Sequence, residues 1–280
     1  MTAARIETAN DRIAALLSER YGPQAPETLL ASGVVEQALS HRSVRAFTAD
    51  PLPEGALETA VAAAQSASSS SNLQLWSVVA VDDPAHKSEL ATLANDQAFI
   101  REAPLFLVWL ADLARTRAIG AANDVAIEGT DFLESLLLGV IDATLAAQNA
   151  VLAFESLGLG TVYVGAIRDH VVEVAQNLKL PPYVFPVFGL AVGRPDPARP
   201  ASVKPRLPQA GVLHRGVYDA SRVSGAVADY DTVLDRFWQG QSLVHPAWTQ
   251  HVLRRLASAQ SLKGRDRLTE HAHTLGFPLR

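Results

Sequence analysis

The stretch from Leu133 to Gly160 is the most apolar part of this chain and the one that most restricts its fold. A run of that length can sit in a bilayer or at the centre of a folded core. Glu134, Asp142, Gln148, Asn149 and Glu155 recur through it at helical spacings, and ionisable groups are expensive in hydrocarbon. The pattern predicts a buried helix of a soluble protein, with no membrane partner, capped at its C-terminus by Gly158 or Gly160. A chain of 280 residues, 48% hydrophobic and 19% charged, is large enough to bury such a helix.

Around it, Trp76 to Val81, Pro104 to Leu110, Thr161 to Val164 and Phe185 to Val192 are short apolar runs of strand length bounded by turn residues. Helical patterns are expected over residues 1–21, with Ile6, Ala9, Ile13, Leu16 and Leu17 on one face. Others are expected from Thr28 to Leu39, Glu54 to Ala67, Pro84 to Glu102, Trp248 to Ala259 and Arg265 to Leu275. Asp169 is placed to cap a further helix reaching Leu180. Residues 112–130 and 211–250 show little periodicity, and 194–208 is rich in proline. Strand and helix alternate cleanly only in the middle, so the expected class is α+β.

Composition removes several functions. There is no cysteine, hence no disulfide, thiolate zinc site, iron–sulfur cluster or cysteine nucleophile, as suits a cytoplasmic protein. A net charge of −5 gives no basic field for nucleic acid. Arg5, Glu7, Asp11 and Arg12 interrupt any secretory apolar run near the N-terminus. No metal site is expected, since His271 and His273 lack helical ligand spacing. Gly158-Leu159-Gly160 follows a helix and precedes a strand, the reverse of a dinucleotide loop.

Against this acidic background a few cations stand close in sequence. His41 and Arg45, four apart, share a face in a helix or a strand; they can meet on one ligand or complement a helix end. In Lys204-Pro205-Arg206 proline holds the backbone extended, sending both cations to one side, which suits a phosphate or a solvated loop. Ser68 to Ser71 with Asn72, Leu73 and Gln74 can line a polar cavity or form a plain turn.

Taken in order, His41-Arg42-Ser43-Val44-Arg45-Ala46-Phe47, the serine cluster with Leu73-Gln74, Leu138 through Asn149, Glu155-Ser156-Leu157-Gly158-Leu159-Gly160, Val162-Tyr163-Val164-Gly165 and Lys204-Pro205-Arg206-Leu207-Pro208 resemble the FMN-dependent nitroreductase superfamily. The resemblance is nearest to the NfsA-type oxygen-insensitive NADPH nitroreductases and flavin reductases. It runs from about residue 34 to the C-terminus. It implies a nitroreductase-like fold, with a central, mostly antiparallel sheet flanked by helices in an intertwined homodimer, and FMN bound at the subunit interface. Residues 1–33 become an N-terminal helical extension, 34–193 the FMN-binding core, and 194–280 an excursion that completes the site and wraps the partner.

By position in the motifs, the resemblance assigns His41, Arg42, Ser43, Lys204 and Arg206 to the phosphate and ribityl end, with Ser69 nearby. Arg45 falls beside the N1/O2 edge of the flavin, where it would act as the catalytic cation, and Gln97 against the pyrimidine ring. Tyr163, Gly165 and Ala166 belong to the backbone passing N5, and Ala166 departs from the glycine usual there. The implied activity is NAD(P)H-dependent two-electron, ping-pong reduction of small planar acceptors such as nitroaromatics, quinones or flavins. A flavin-binding or flavin-delivery protein with little turnover is the alternative. Residues 239–248 carry no arginine or lysine where NfsA-type enzymes usually have an arginine-containing stretch, so weak discrimination between NADPH and NADH is expected.

Overall fold

The computed structural model describes residues 3–26 and 29–280. Eleven α-helices are described: α1 (Ala3–Tyr21), α2 (Gly33–Ser40), α3 (Ala56–Gln65), α4 (Pro84–Leu93), α5 (Ala98–Glu102), α6 (Ala114–Ala122), α7 (Leu133–Ser156), α8 (Val171–Asn177), α9 (Val223–Gly240), α10 (Trp248–Leu256) and α11 (Leu268–Thr274). Four strands, β1 (Trp76–Val81), β2 (Leu105–Asp112), β3 (Gly160–Val164) and β4 (Val184–Gly193), form one sheet in the order β1-β2-β4-β3. Every strand pair is antiparallel. The backbone divides into two compact units, one of residues 1–42 with 202–261 and one of 43–201 with 262–280.

In the sheet-containing unit, β2 is apolar on both faces because both are covered. Leu105, Leu107 and Trp109 pack with Ala146, Ala147, Ala150, Val151 and Phe154 of α7 and Ala56, Ala60 and Ala64 of α3. Phe106, Val108 and Leu110 pack on the other side with Leu90 and Ala91 of α4, Ile100 of α5 and Val174 of α8. The alanines at the α3–α7 contact let the two helices approach closely. The bilayer-length helix is thus a core helix with one face buried, and Gly158 ends it at φ 77°.

The other unit is helical. Ile13, Leu16 and Leu17 of α1 are buried as its periodicity predicts; the side chains of Ile6 and Ala9 lie outside those described. Arg12 pairs with Glu36 of α2 at 2.7 Å. α9 buries Ala226, Tyr230 and Leu234, and its Asp231 accepts from the Thr249 amide at 3.0 Å, joining it to α10.

Several expectations need correction. The helix expected from Thr28, a residue outside those described, is present only from Gly33, because Ser32 accepts from the Val35 amide and caps it there. The helix expected over residues 84–102 is two helices, broken by left-handed backbone at Asn95 and Asp96. Residues 112–130 and 211–250 contain α6 and α9. Asp169 does not cap α8, whose N-cap is His170 without a side-chain bond; the Asp169 carboxylate is engaged elsewhere.

Candidate active site

In the helical unit, α2 stops at Ser40 and His41 leaves it with ψ 136°. Further along, Val203 and Pro205 are buried while Lys204 is half-buried and Arg206 exposed. That is the alternation an extended Lys-Pro-Arg segment should give. Both segments are held from behind by the α1 residue Arg20, which is only 5% exposed. Its guanidinium donates to the carbonyls of Leu39 at 3.0 Å, Lys204 at 2.7 Å and His41. Its own carbonyl accepts from the Arg206 amide at 2.7 Å. The Tyr230 phenol donates to the Pro205 carbonyl at 3.1 Å, and burial raises the pKa of that phenol. Arg206 Nη1 lies on the carbonyls of Lys204 and Pro205, at 3.2 and 3.0 Å, and the Lys204 ammonium sits 5.0 Å from the centre of the Trp238 ring.

In the sheet unit, Ser43 bridges in parallel to Thr161 of β3, and the Val44 amide donates to the Thr161 carbonyl at 2.9 Å. Gly160 permits this approach, since a Cβ there would lie 2.6 Å from Val44 Cγ2. The buried Val44, Ala46 and Phe47 anchor the segment, and Arg45 between them is exposed. Tyr163, two residues beyond Thr161, is half-buried and meets Phe188 edge-on at 5.0 Å. Burial, reinforced by Glu155, pushes its phenol above the ordinary tyrosine pKa. Ala166 is 8% exposed and belongs to the core with Val164, Ile167 and Val174, so its methyl is housed in the protein interior.

The serine loop is organised by Asp142 of α7, which is 2% exposed. Its carboxylate accepts from the Ser69 hydroxyl at 2.7 Å, the Ser70 amide at 3.2 Å and the Leu75 amide at 3.0 Å. Ser69 in turn accepts from the Gln74 amide at 2.8 Å. These bonds hold Ser71, Asn72 and Gln74 at φ between 49° and 55°, a region that costs non-glycine residues energy. The hydroxyl proton of Ser69 is therefore committed to Asp142.

Asp169 links the remaining elements. Its carboxylate accepts from Asn95 and pairs with Arg265. Asn95 lies two residues before Gln97, whose amide donates to the Ala94 carbonyl at 2.8 Å. Arg168 donates to the Val187 carbonyl. A Cβ on Gly165 would lie 3.6 Å from Arg168 Nη2 and 3.9 Å from Arg265 Nη1, so two guanidinium groups flank this glycine. Sequence reading gave no site role to Arg20, Asp142, Arg168 or Arg265. Asp142 alone carried a signal, as one of the ionisable residues recurring through the most apolar helix.

The model of the Nitroreductase family matches residues 38–194, and that of the Nitroreductase family, C-terminal domain, matches 204–280. This chain belongs to the nitroreductase family. It is 39% identical over 206 residues to an FMN reductase [NAD(P)H] of Bacillus subtilis, covering 73% of this chain and 82% of that protein. It is 36% identical over 251 residues to an oxygen-insensitive NADPH nitroreductase of Salmonella typhimurium, covering 89% of this chain and 100% of that one. Among solved structures, NfrA2 of B. megaterium superposes with a TM-score of 0.84 at 36% identity, over 89% of this chain and 99% of that chain. The NADPH:FMN oxidoreductase of Vibrio harveyi, complexed with NAD+, superposes with a TM-score of 0.77 at 34% identity, over 89% and 100%.

Proposed function

We propose that the chain is an FMN-dependent NAD(P)H oxidoreductase that reduces nitroaromatics, quinones or flavins. The observation that carries this reading is the Lys204-Pro205-Arg206 segment, whose backbone is held from behind while its cationic residues occupy the less buried positions. Cations on a fixed extended backbone suit a phosphate monoester: arginine grips two oxygens and lysine supplies a point charge. His41 and Arg42, in the same unit, extend that donor set.

When bound, FMN supplies hydride chemistry at N5. The protein's task is to bind and orient. Arg45 would hold the N1/O2 edge of FMN, and its fixed charge there would favour the reduced cofactor. Gln97, whose Nε2 donates to the Ala94 carbonyl, would present its side-chain amide to the pyrimidine ring. Ser69 contributes through the loop that it and Asp142 fix, because its own proton is already donated. Tyr163, Gly165 and Ala166 would supply the backbone beside N5. Housing the Ala166 methyl in the core removes one motive for the alternative of a flavin-delivery protein with little turnover.

The protein acts as a cytoplasmic homodimer, with residues 34–193 as the FMN-binding core. Residues 194–280 complete the site and wrap the partner, and 1–33 are an added helical extension. Leu133, Leu137, Ile141 and Leu145 support dimerisation: they form a stripe along α7 that is at least 43% exposed in the single chain.

The deciding test is anaerobic titration of the purified yellow protein with NADPH or NADH, followed by addition of a nitroaromatic or quinone. Bleaching of the flavin band and its return on adding the acceptor are expected. A protein that stays yellow under excess coenzyme would leave only flavin binding or delivery.

A further inference from the structure

Arg20 lies outside both stretches matched by the family, 38–194 and 204–280. It nevertheless reaches the two segments of its unit to which phosphate contacts are assigned. We infer that Arg20 is a positioning residue, supplied by the N-terminal helix, that presets the phosphate-binding backbone of His41 and Lys204–Arg206. The inference rests on the FMN-phosphate reading above.

Three features support it. First, one planar fork serves three carbonyls, with Nε on Leu39, Nη1 on Lys204 and Nη2 on His41. A lysine ammonium on a flexible stem cannot reproduce that fixed divergence. Second, the Arg20 carbonyl holds the Arg206 amide at 2.7 Å, so one residue fixes the backbone of both Lys204 and Arg206. These positions are 184 residues or more from Arg20 in sequence, and joining them in the absence of such a clamp would leave the ordering to be done when the ligand binds. Third, the carbonyl oxygens of His41 and Lys204 are the groups that would repel a nearby phosphate. Tying them to a guanidinium turns their negative ends toward a cation and adds positive charge behind the binding face.

The consequence is specific to the phosphate. A residue that merely stabilises the fold would affect binding of FMN and of riboflavin, which lacks the phosphate, by the same factor. The test compares dissociation constants of FMN and riboflavin, by quenching of flavin fluorescence, in the full-length apoprotein and its Arg20→Met, Arg20→Lys and Arg206→Ala variants. Melting followed by circular dichroism controls for folding. Arg20→Met should weaken FMN about tenfold, equivalent to about 1.4 kcal/mol, and riboflavin less than about twofold. Arg20→Lys should shift the same ratio in the same direction; it keeps the buried charge and carries the comparison where Arg20→Met does not fold. Equal weakening of FMN and riboflavin in the Arg20 variants, while Arg206→Ala selectively loses FMN, would overturn the role of Arg20 alone. An unchanged FMN-to-riboflavin ratio in Arg206→Ala would overturn the phosphate assignment, and the inference with it.

Discussion

Replacing Asp142 tests how the serine loop is built. In Asp142→Ala the Leu75 amide, which is buried, and the Ser69 hydroxyl and Ser70 amide, which are partly so, all lose a charged acceptor. A hydrogen bond to a charged group contributes about 1.5 to 3 kcal/mol, and a buried orphan donor costs a similar amount. Water can reach the two partly buried donors, so about 1 kcal/mol each is assigned to them and about 2 to 3 kcal/mol to Leu75, or about 4 to 5 kcal/mol in all. At about 2 °C per kcal/mol for a chain of this size, melting should fall by about 8 to 10 °C. Asp142→Asn keeps an acceptor oxygen but turns an NH2 toward at least one donor, and should lose about half as much. Hydrogen exchange read by mass spectrometry should rise selectively in peptides spanning residues 69–75, because the left-handed conformations there relax once their restraint is gone. Melting within about 2 °C of the parent, with exchange over 69–75 unchanged, would refute the role given to the carboxylate.

Other outcomes follow from the same geometry. Arg45→Gln should lower the two-electron midpoint potential of bound FMN measured by dye equilibration, while weakening oxidised FMN less than Arg206→Ala does; an unchanged potential would remove Arg45 from the N1 edge. Gly160→Ala should destabilise by about 1 to 3 kcal/mol in urea unfolding, because its Cβ would lie 2.6 Å from Val44 Cγ2. Adding Val44→Ala should recover part of that loss, and strict additivity of the two changes would deny the contact. In the 239–248 segment His245 stacks on Trp238 at 4.1 Å, and downstream the Arg255 guanidinium is engaged with the Ser261 carbonyl at 2.6 Å. With little cationic charge there for a 2'-phosphate, kcat/KM for NADPH and NADH should differ by less than about tenfold, under about 1.4 kcal/mol. A hundredfold preference for NADPH in steady-state kinetics would show that another cation serves.

Local pattern was enough to place β1, β4 and α7 within a residue or two, since an apolar run between turn residues reports strand burial directly. The burial alternation over Val203, Lys204, Pro205 and Arg206 agrees with the extended segment expected there, because proline restricts its own backbone. α9 was missed although Ala226, Tyr230 and Leu234 recur at helical spacing; Gly225 and four aspartates or arginines dilute the apolar signal there. α6 has no comparable stripe. It is fastened by Arg117, which donates to Thr130 at 2.6 Å, pairs with Asp131 at 3.2 Å and lies over the Tyr183 ring.

Ser69 shows where sequence stops. Its position in the serine run was visible, but the destination of its proton was set by Asp142, 73 residues away. Asp169 likewise reads as a helix cap along the chain, and becomes the partner of Arg265 only when residue 265 is folded back against it. Backbone periodicity is encoded between neighbours and survives in the sequence alone. Which cation meets which carboxylate or carbonyl depends on chain closure over tens to hundreds of residues, and that choice, which positions the candidate site, was made by the tertiary structure.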